Sequence, residues 1–435
     1  MSKVIGPSRP DEPVGAAASS RRRKVRPWVF LLALALCMLG VGNLVFPPDL
    51  REQLPVDYLL VCVPLCGAAM LFNPARVVKN NAAPVLLVMF FLAMLPGFFV
   101  APLNPYGVSK ALAIGIAMIL LAAPSAFTST MYGVRITIRI LLVLGGAISV
   151  LLLVSGGEFV FGRQSLFGLN PIGIARVTAL FLALGVPLLF IRYTGDKATR
   201  AFLFVGTPLA LLATVETGSR GPLLSAVVSI AVAFLIVLAR RRVGPGTIAI
   251  VAGAGVAAFV VLSFFANAGL DRITQGSDSG RYDLYQLAFR IFLEHPNGVG
   301  WGNFAQYAPG FPTVDGYILY PHNLFLELAV EGGLAAVVGG FALVGVTVLR
   351  LIRVGLQTDN PWPLIVLAFL LYAIVNAQVS SDIVGNRMLW LALGLALVRF
   401  PKASSPEPPL ALPPSRIGRP SGRARRASRG SLFEP

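Results

Sequence analysis

Long apolar stretches alternate with short polar segments from residue 27 to residue 399. A hydropathy reading of this pattern predicts about twelve membrane-spanning helices. Three of the stretches are short for a hydrocarbon core about 30 Å thick. The pattern therefore predicts an all-α, polytopic transmembrane protein. The predicted spans are 27–46, 56–72, 82–101, 108–123, 135–154, 173–191, 201–215, 221–239, 246–265, 322–349, 361–378 and 385–399.

Composition supports a membrane protein. The chain is 56% hydrophobic and only 13% charged, whereas soluble domains carry about 25% charged residues. The first apolar stretch, 27–46, lacks a clear cleavage site and is predicted to be a retained anchor. The three cysteines, Cys37, Cys62 and Cys66, lie in apolar stretches. We expect them to be small buried residues, not metal ligands or disulfide partners.

The predicted organisation has five segments. Residues 1–26 form a disordered basic tail, 27–265 hold the first nine spans, 266–321 form one large hydrophilic loop, 322–399 hold the last three spans, and 400–435 form a second disordered basic tail. The tails carry much of the net charge of +17. Contact with the anionic inner leaflet is the simpler interpretation, and nucleic-acid binding is the alternative.

The positive-inside rule fixes a predicted orientation. With a cytoplasmic N-terminus, every inside loop is basic, as is the C-terminal tail. The loop 266–321 then lies outside the cytoplasm, together with Arg220, Arg281 and His322. We therefore expect a bacterial inner-membrane protein with both termini in the cytoplasm. The basic residues of the inside loops are Arg76, Lys79, Arg135, Arg192, Lys197, Arg200, Arg240, Arg241, Arg242, Arg350 and Arg353.

The outer loop is predicted to be a packed lid. Residues 281–294 show aromatic side chains at helical spacing, and His295-Pro296 ends the pattern. The glycine-rich turn NGVGWGNF follows. A loop of this length is usually functional or disordered, and its aromatic content favours order. The spaced aromatic residues are Tyr282, Tyr285, Phe289 and Phe292.

Three residues carry candidate chemistry. Arg220 follows Ser219, a good N-cap, at the outer end of a predicted helix, where a phosphate or diphosphate would bind. The alternative is an interfacial arginine that reaches lipid headgroups. Arg281 is either a functional cation or a surface arginine paired with a nearby aspartate. His322 is one of two histidines, and the alternative for it is an interfacial hydrogen-bonding residue.

Three stretches carry a resemblance to a known family: SRG before a span, GRYDLYQLAFRIFLEHPNGVGWGNF, and HNLFLELAVEGG. Together they resemble the O-antigen ligase/polymerase superfamily of integral membrane glycosyltransferases of the GT-C type. The resemblance implies transfer of a glycan from undecaprenyl diphosphate to an acceptor hydroxyl outside the cytoplasm. The acceptor is lipid A core in ligases and another glycan in polymerases. The resemblance also implies no metal or other cofactor, and essential residues at Arg220, Arg281 and His322.

Residue chemistry suits that reaction. Arginines stabilise the charge of a departing diphosphate without a metal, and a neutral imidazole accepts a proton from the acceptor hydroxyl. The displacement would be inverting. Asn323 is predicted to orient the histidine or a sugar hydroxyl. Trp301 is predicted to stack on a sugar or to pack beneath the loop. Glu327 is assigned to substrate binding or to a pair with an external arginine.

Two observations leave the function open. Ala336 stands where the ligase motif carries Gly, Thr or Tyr, which counts against lipid A ligases in particular. Twelve spans also suit a transporter or flippase of lipid-linked oligosaccharide, and a structural scaffold is a third alternative. A flippase should carry charges throughout its spans, whereas the candidate residues here cluster at the outer ends. The partial exceptions, which could mark a transport pathway, are Arg139, Arg176, Glu327 and Glu331. We expect no nucleic-acid partner, and association with the polysaccharide assembly machinery.

Overall fold

The computed structural model describes residues 27–46, 57–127, 130–160, 163–190, 197–241, 281–308, 320–358 and 360–401. The predicted span 246–265 and both tails, apart from residues 400 and 401, lie outside them. The described residues form thirteen α-helices: α1 (Pro27–Val45), α2 (Tyr58–Leu71), α3 (Pro74–Asn80), α4 (Pro84–Met94), α5 (Pro105–Ala122), α6 (Thr130–Ser155), α7 (Pro171–Phe190), α8 (Lys197–Glu216), α9 (Arg220–Arg241), α10 (Arg281–Glu294), α11 (Leu324–Gln357), α12 (Trp362–Val379) and α13 (Arg387–Leu397).

The chain is an all-α polytopic membrane protein, as predicted. In the described residues, eight helices are long and apolar enough to cross a membrane. The pair α2 and α3, bent by 83°, makes a ninth if it counts as one span. Pro84–Phe98 and α13 are shorter apolar helices. Each predicted span except 246–265 coincides with one of these segments. The sequence did not predict the short antiparallel hairpin of β1 (Glu158–Val160) and β2 (Arg163–Ser165).

Helices α7, α12 and α13 form the centre of the bundle. Every residue of α13 is buried, and most of α7 and α12 is buried. Small residues allow neighbouring helices to approach α7 closely, as is common in membranes. A methyl group added at Gly206 of α8 would lie 2.5 Å from the Phe181 ring of α7. Helices α8, α9 and α11 direct large apolar side chains outwards, as expected for surfaces that face lipid.

Helix α11 is broken at Gly333, which corrects the continuous span predicted over 322–349. Gly333 has φ 75° and ψ −171°, a conformation that is essentially restricted to glycine. The break leaves backbone groups without helical partners, and the glycine-rich turn pairs with them. The bonds run from Val299 N to Val330 O (2.8 Å), from Gly300 N to Glu331 O (3.1 Å) and from Leu334 N to Pro296 O (2.8 Å).

Helix α10 has the predicted limits, 281–294, but a different face is packed. Its buried residues are Leu284, Ala288 and Ile291, which pack with residues of the turn that follows and of α11. Tyr282 and Phe289 of the predicted aromatic stripe are exposed instead. The helix and residues 295–308 are called the lid below.

One end of the bundle, called the site face, collects the first turns of α5, α7, α9, α11 and α13, together with the lid. Asn104, which caps α5, donates from Nδ2 to Gly302 O of the lid at 2.8 Å. All buried charged side chains of the described residues lie at this face. Arg139, a charged residue within the span α6, is exposed. Helix α6 begins at the opposite end of the bundle, where the Thr130 hydroxyl donates to Arg399 O. The buried charged residues are Lys110, Arg176, Glu327, Glu331, Asp382 and Arg387.

Candidate functional site

His322 lies in a tight turn immediately before α11. Its φ of 56° is unusual for a residue with a side chain and points to a backbone held by its surroundings. The next residue, Asn323, accepts from Leu326 N at 3.1 Å and donates to Gln378 O at 3.2 Å. Asn323 therefore caps α11 and joins it to the end of α12. Its predicted role in orienting the imidazole or a sugar hydroxyl stays a prediction.

Three elements meet around His322. The Tyr285 hydroxyl of the lid donates to Gln378 O at 3.0 Å, and it lies 3.5 Å from His322 O. The rings of Tyr320 and His322 lie 4.4 Å apart, measured between centroids. The lid, the start of α11 and the end of α12 therefore fix the position of the half-buried imidazole. Burial raises the pKa of Tyr320 to about 12, so its hydroxyl stays protonated at neutral pH.

The lid brings Arg281 into electrostatic reach of His322. Burial is the main cause that lowers the pKa of His322 to about 4, Arg281 lowers it further, and Asp382 opposes them. The imidazole is therefore neutral at pH 7 and available as a proton acceptor. No ion pair joins Arg281 to Asp283 or to any other described carboxylate. The alternative partner from the sequence, Asp278, lies outside the described residues.

Arg220 is the exposed first residue of α9. Ser219 precedes it directly, at the predicted cap position. A methyl group added at Gly221 would lie 2.9 Å from the Val379 side chain at the end of α12. Arg220 therefore stands on the site face, beside the end of α12 that also carries Gln378. This arrangement places a cation and a helix N-terminus together, as an anion site requires.

Trp301 packs beneath the lid, which decides between its two predicted roles. Its side chain is fully buried, and its indole N–H donates to Met94 O at 3.1 Å. The ring lies against Phe98, at 6.1 Å between centroids, and against Gly332. A sugar has no access to this ring, so the assignment of Trp301 to substrate binding is corrected.

Glu327 is also buried, and its partner is a residue that the sequence reading missed. Lys110 Nζ lies 2.7 Å from Glu327 Oε1 and 2.5 Å from Glu331 Oε2. The assignment of Glu327 to substrate or to an external arginine is therefore corrected. The two carboxylates also accept hydrogen bonds from backbone amides of neighbouring segments. Ile383 N donates to Glu327 at 2.9 Å, and Gly302 N donates to Glu331 at 3.0 Å. A lysine inside a predicted span was the available signal.

Asp382 is a second residue that the sequence reading missed. It lies in the turn between α12 and α13, where it accepts from the Tyr106 hydroxyl and from Gly385 N. No pattern in that short segment distinguished Asp382 from an ordinary surface aspartate. In the described part of the chain, no group of three or more His, Cys, Asp or Glu side chains is placed to hold a metal ion. Cys37, Cys62 and Cys66 are buried and free, as expected.

Residues 205–344 match the protein family described as O-Antigen ligase. The predicted resemblance to the O-antigen ligase/polymerase superfamily is confirmed. The O-antigen ligase match covers about a third of the chain and includes Arg220, Arg281 and His322, whereas Lys110 and Arg176 lie outside it. At the level of the family, the match supports membrane glycosyl transfer with a lipid-linked glycan and an acceptor as substrates. No curated protein matches the chain.

Proposed function

We propose that this protein transfers a glycan from undecaprenyl diphosphate to an acceptor hydroxyl on the extracytoplasmic side of the bacterial inner membrane. The acceptor is the end of another glycan, for a polymerase, or lipid A core, for an O-antigen ligase. The observation that carries the proposal is the electrostatic interaction of Arg281 with His322, which the lid holds before α11, within the family-matched region and on the face where α9 begins with Arg220.

The proposed reaction is one inverting displacement. The acceptor oxygen attacks the anomeric carbon, and the bond between that carbon and the diphosphate oxygen breaks. His322 takes the proton from the acceptor hydroxyl, and undecaprenyl diphosphate leaves with the bonding electrons. Arg281 and Arg220 stabilise the negative charge on the departing diphosphate, so the step requires no metal ion.

The environment of His322 suits a base that strengthens when substrate binds. With a pKa near 4, the imidazole is neutral but a weak proton acceptor. A donor diphosphate adds negative charge beside it and offsets the positive charge of Arg281. Negative charge raises a histidine pKa, because it favours the protonated form. The donor therefore brings the base closer to the pKa that suits catalysis near neutral pH.

The distribution of buried charge favours an enzyme over a flippase. A flippase carries polar groups along a path across the membrane. In the described residues, every buried charged side chain lies at the site face. The basic inside loops support the assignment of this face to the extracytoplasmic side, with both termini in the cytoplasm.

The test is glycan transfer by purified protein in proteoliposomes with lipid-linked donor. His322→Ala should abolish transfer, while His295→Ala, which changes the other histidine, should leave it near wild type. Arg281→Ala should abolish transfer with membrane insertion intact, and EDTA should have no effect. Sealed vesicles of both orientations, given an acceptor that cannot cross the membrane, show on which side of the membrane transfer occurs. Transfer is expected only where the extracytoplasmic face meets the acceptor. Full activity of His322→Ala would refute the base assignment, and EDTA sensitivity would refute the metal-free reaction.

A deletion strain separates the two acceptor classes. Mass spectrometry of its lipid-linked glycans should show single repeats on the carrier if the protein is a polymerase. It should show full-length chains on the carrier if the protein is a ligase. Unchanged lipid-linked glycans would contradict both assignments.

A further inference from the structure

Arg176 is a buried cation without a carboxylate partner. It belongs to the second turn of α7 and is 4% exposed. Its Nη2 donates to Ser380 O at 2.6 Å, to Asn376 O at 3.3 Å and to Asn386 Oδ1 at 3.2 Å. All three acceptors are neutral, and Nε is buried without any partner. In direct contact, the guanidinium is therefore stabilised by dipoles only, and Asp382 attracts it from beyond ion-pair distance.

Lys110, another buried cation of the site face, has the carboxylate partners that Arg176 lacks. Lys110, equally buried, contacts two carboxylates. The carboxylate nearest in sequence to the Arg176 partners is Asp382, but it is occupied by Tyr106 and Gly385 and forms no ion pair with Arg176. A buried charge without a counter-ion is unfavourable, so such a position is suited to an anionic ligand.

Arg176 also stands at the junction that positions His322. The last turn of α12 offers Asn376 O and Ser380 O to Arg176, and Gln378 O to Tyr285 and Asn323. Arg387 is another buried arginine without a carboxylate partner, but it bonds Val384 O, beyond this turn. The position at the end of α12 therefore distinguishes Arg176.

Arg281 repels the positive charge of Arg176, and Asp382, which attracts that charge, forms no ion pair with it. An anion with two phosphate groups relieves that repulsion and supplies a counter-ion in direct contact with Arg176. We infer that Arg176 is a further anion-binding residue of this site and, together with Arg281, takes the diphosphate of the lipid-linked donor. This inference rests on the proposed function. It adds a residue of α7, outside the family-matched region, to the donor site.

A purely structural role for Arg176 makes a different prediction. If the guanidinium only holds the turn between α12 and α13, then loss of any of its acceptors should weaken the site equally. Asn386→Ala removes one acceptor and keeps the cation, so it separates the two roles. Arg139→Met is the matched control, because Arg139 is exposed in the middle part of α6 and has no place at the site face.

The experiment measures binding of farnesyl diphosphate and farnesyl monophosphate to the full-length protein in detergent by calorimetry. Arg176→Met should weaken diphosphate binding by roughly tenfold to hundredfold, as expected for loss of a charge-assisted hydrogen bond. It should also reduce the preference for diphosphate over monophosphate. Arg176→Lys should retain part of that preference. Asn386→Ala and Arg139→Met should bind both probes like wild type.

Several results would overturn the inference. The first is wild-type diphosphate affinity in folded Arg176→Met. The second is an equal loss in Asn386→Ala, which would assign Arg176 a structural role. If Arg176→Met does not fold, Arg176→Lys replaces it in the test. A preference for diphosphate over monophosphate equal to that of wild type in Arg176→Lys would then refute the inference. A wild-type protein that binds no diphosphate would overturn both the inference and the proposed donor. Binding as expected without glycan transfer would refute the proposed function alone.

Discussion

Replacing Lys110 with methionine should loosen two segments of the site face. One is the lid turn around Gly302, which Glu331 binds, and the other is the turn around Ile383, which Glu327 binds. The change removes an ammonium that lies 2.7 Å from Glu327 and 2.5 Å from Glu331, in full burial. Removing one partner of a buried ion pair costs about 3–5 kcal/mol. Each carboxylate keeps a backbone donor, Ile383 N or Gly302 N, so we expect about 3 kcal/mol, the lower end of that range.

Hydrogen exchange measures this loss where it should occur. A cost of about 3 kcal/mol corresponds to roughly a hundredfold change in a docking equilibrium. Amides of residues 297–304 and 380–386 should therefore exchange about a hundredfold faster in Lys110→Met. Lys79→Met, at an exposed lysine, is the matched control. The triple variant Lys110→Met, Glu327→Gln, Glu331→Gln should recover much of the protection, because no unpaired charge remains.

Two results would refute the reasoning for Lys110. Wild-type exchange in both segments of Lys110→Met would show that the ammonium contributes nothing to docking. A triple variant no better than the single one would show that the unpaired carboxylates are not the cause of the loss. Faster exchange spread evenly over all helices would point to general unfolding instead.

Two further predictions concern His322 and Gly333. NMR titration of the two histidines should show a pKa near 4 for His322 and a higher value in Arg281→Gln, because a nearby cation is removed; identical values in both proteins would contradict the coupling. The folded protein holds His322 neutral, whereas the unfolded chain binds a proton there below about pH 6.5. The free energy of unfolding should therefore fall as pH drops from about 6.5 towards 4. Gly333→Ala should cost at least about 1–3 kcal/mol, because φ is 75° and the new methyl would lie 2.4 Å from Asn297. Thermal unfolding against Gly345→Ala, in open space of the same helix, checks this, and equal midpoints would refute it.

The sequence by itself determined the local elements of this protein. Apolar runs marked the spans, because each helix must satisfy its own backbone inside a membrane. A capping residue marked the start of α9, and His295-Pro296 marked the end of α10. These signals act over a few residues, so they can be read without knowledge of the fold. The positions of Arg220, Arg281 and His322 at helix starts followed from them.

Only the tertiary structure decided which side chains meet. Lys110 is separated from Glu331 by 221 residues, and Arg176 from Ser380 by 204, so no periodicity links them. The break at Gly333 depends on the lid turn that supplies its hydrogen bonds, which a hydropathy window does not detect. Burial of Trp301 and the cap formed by Asn323 likewise depend on neighbouring elements. Local patterns fix where helices begin, whereas the charges and hydrogen bonds of the site are set by how those helix ends are packed together.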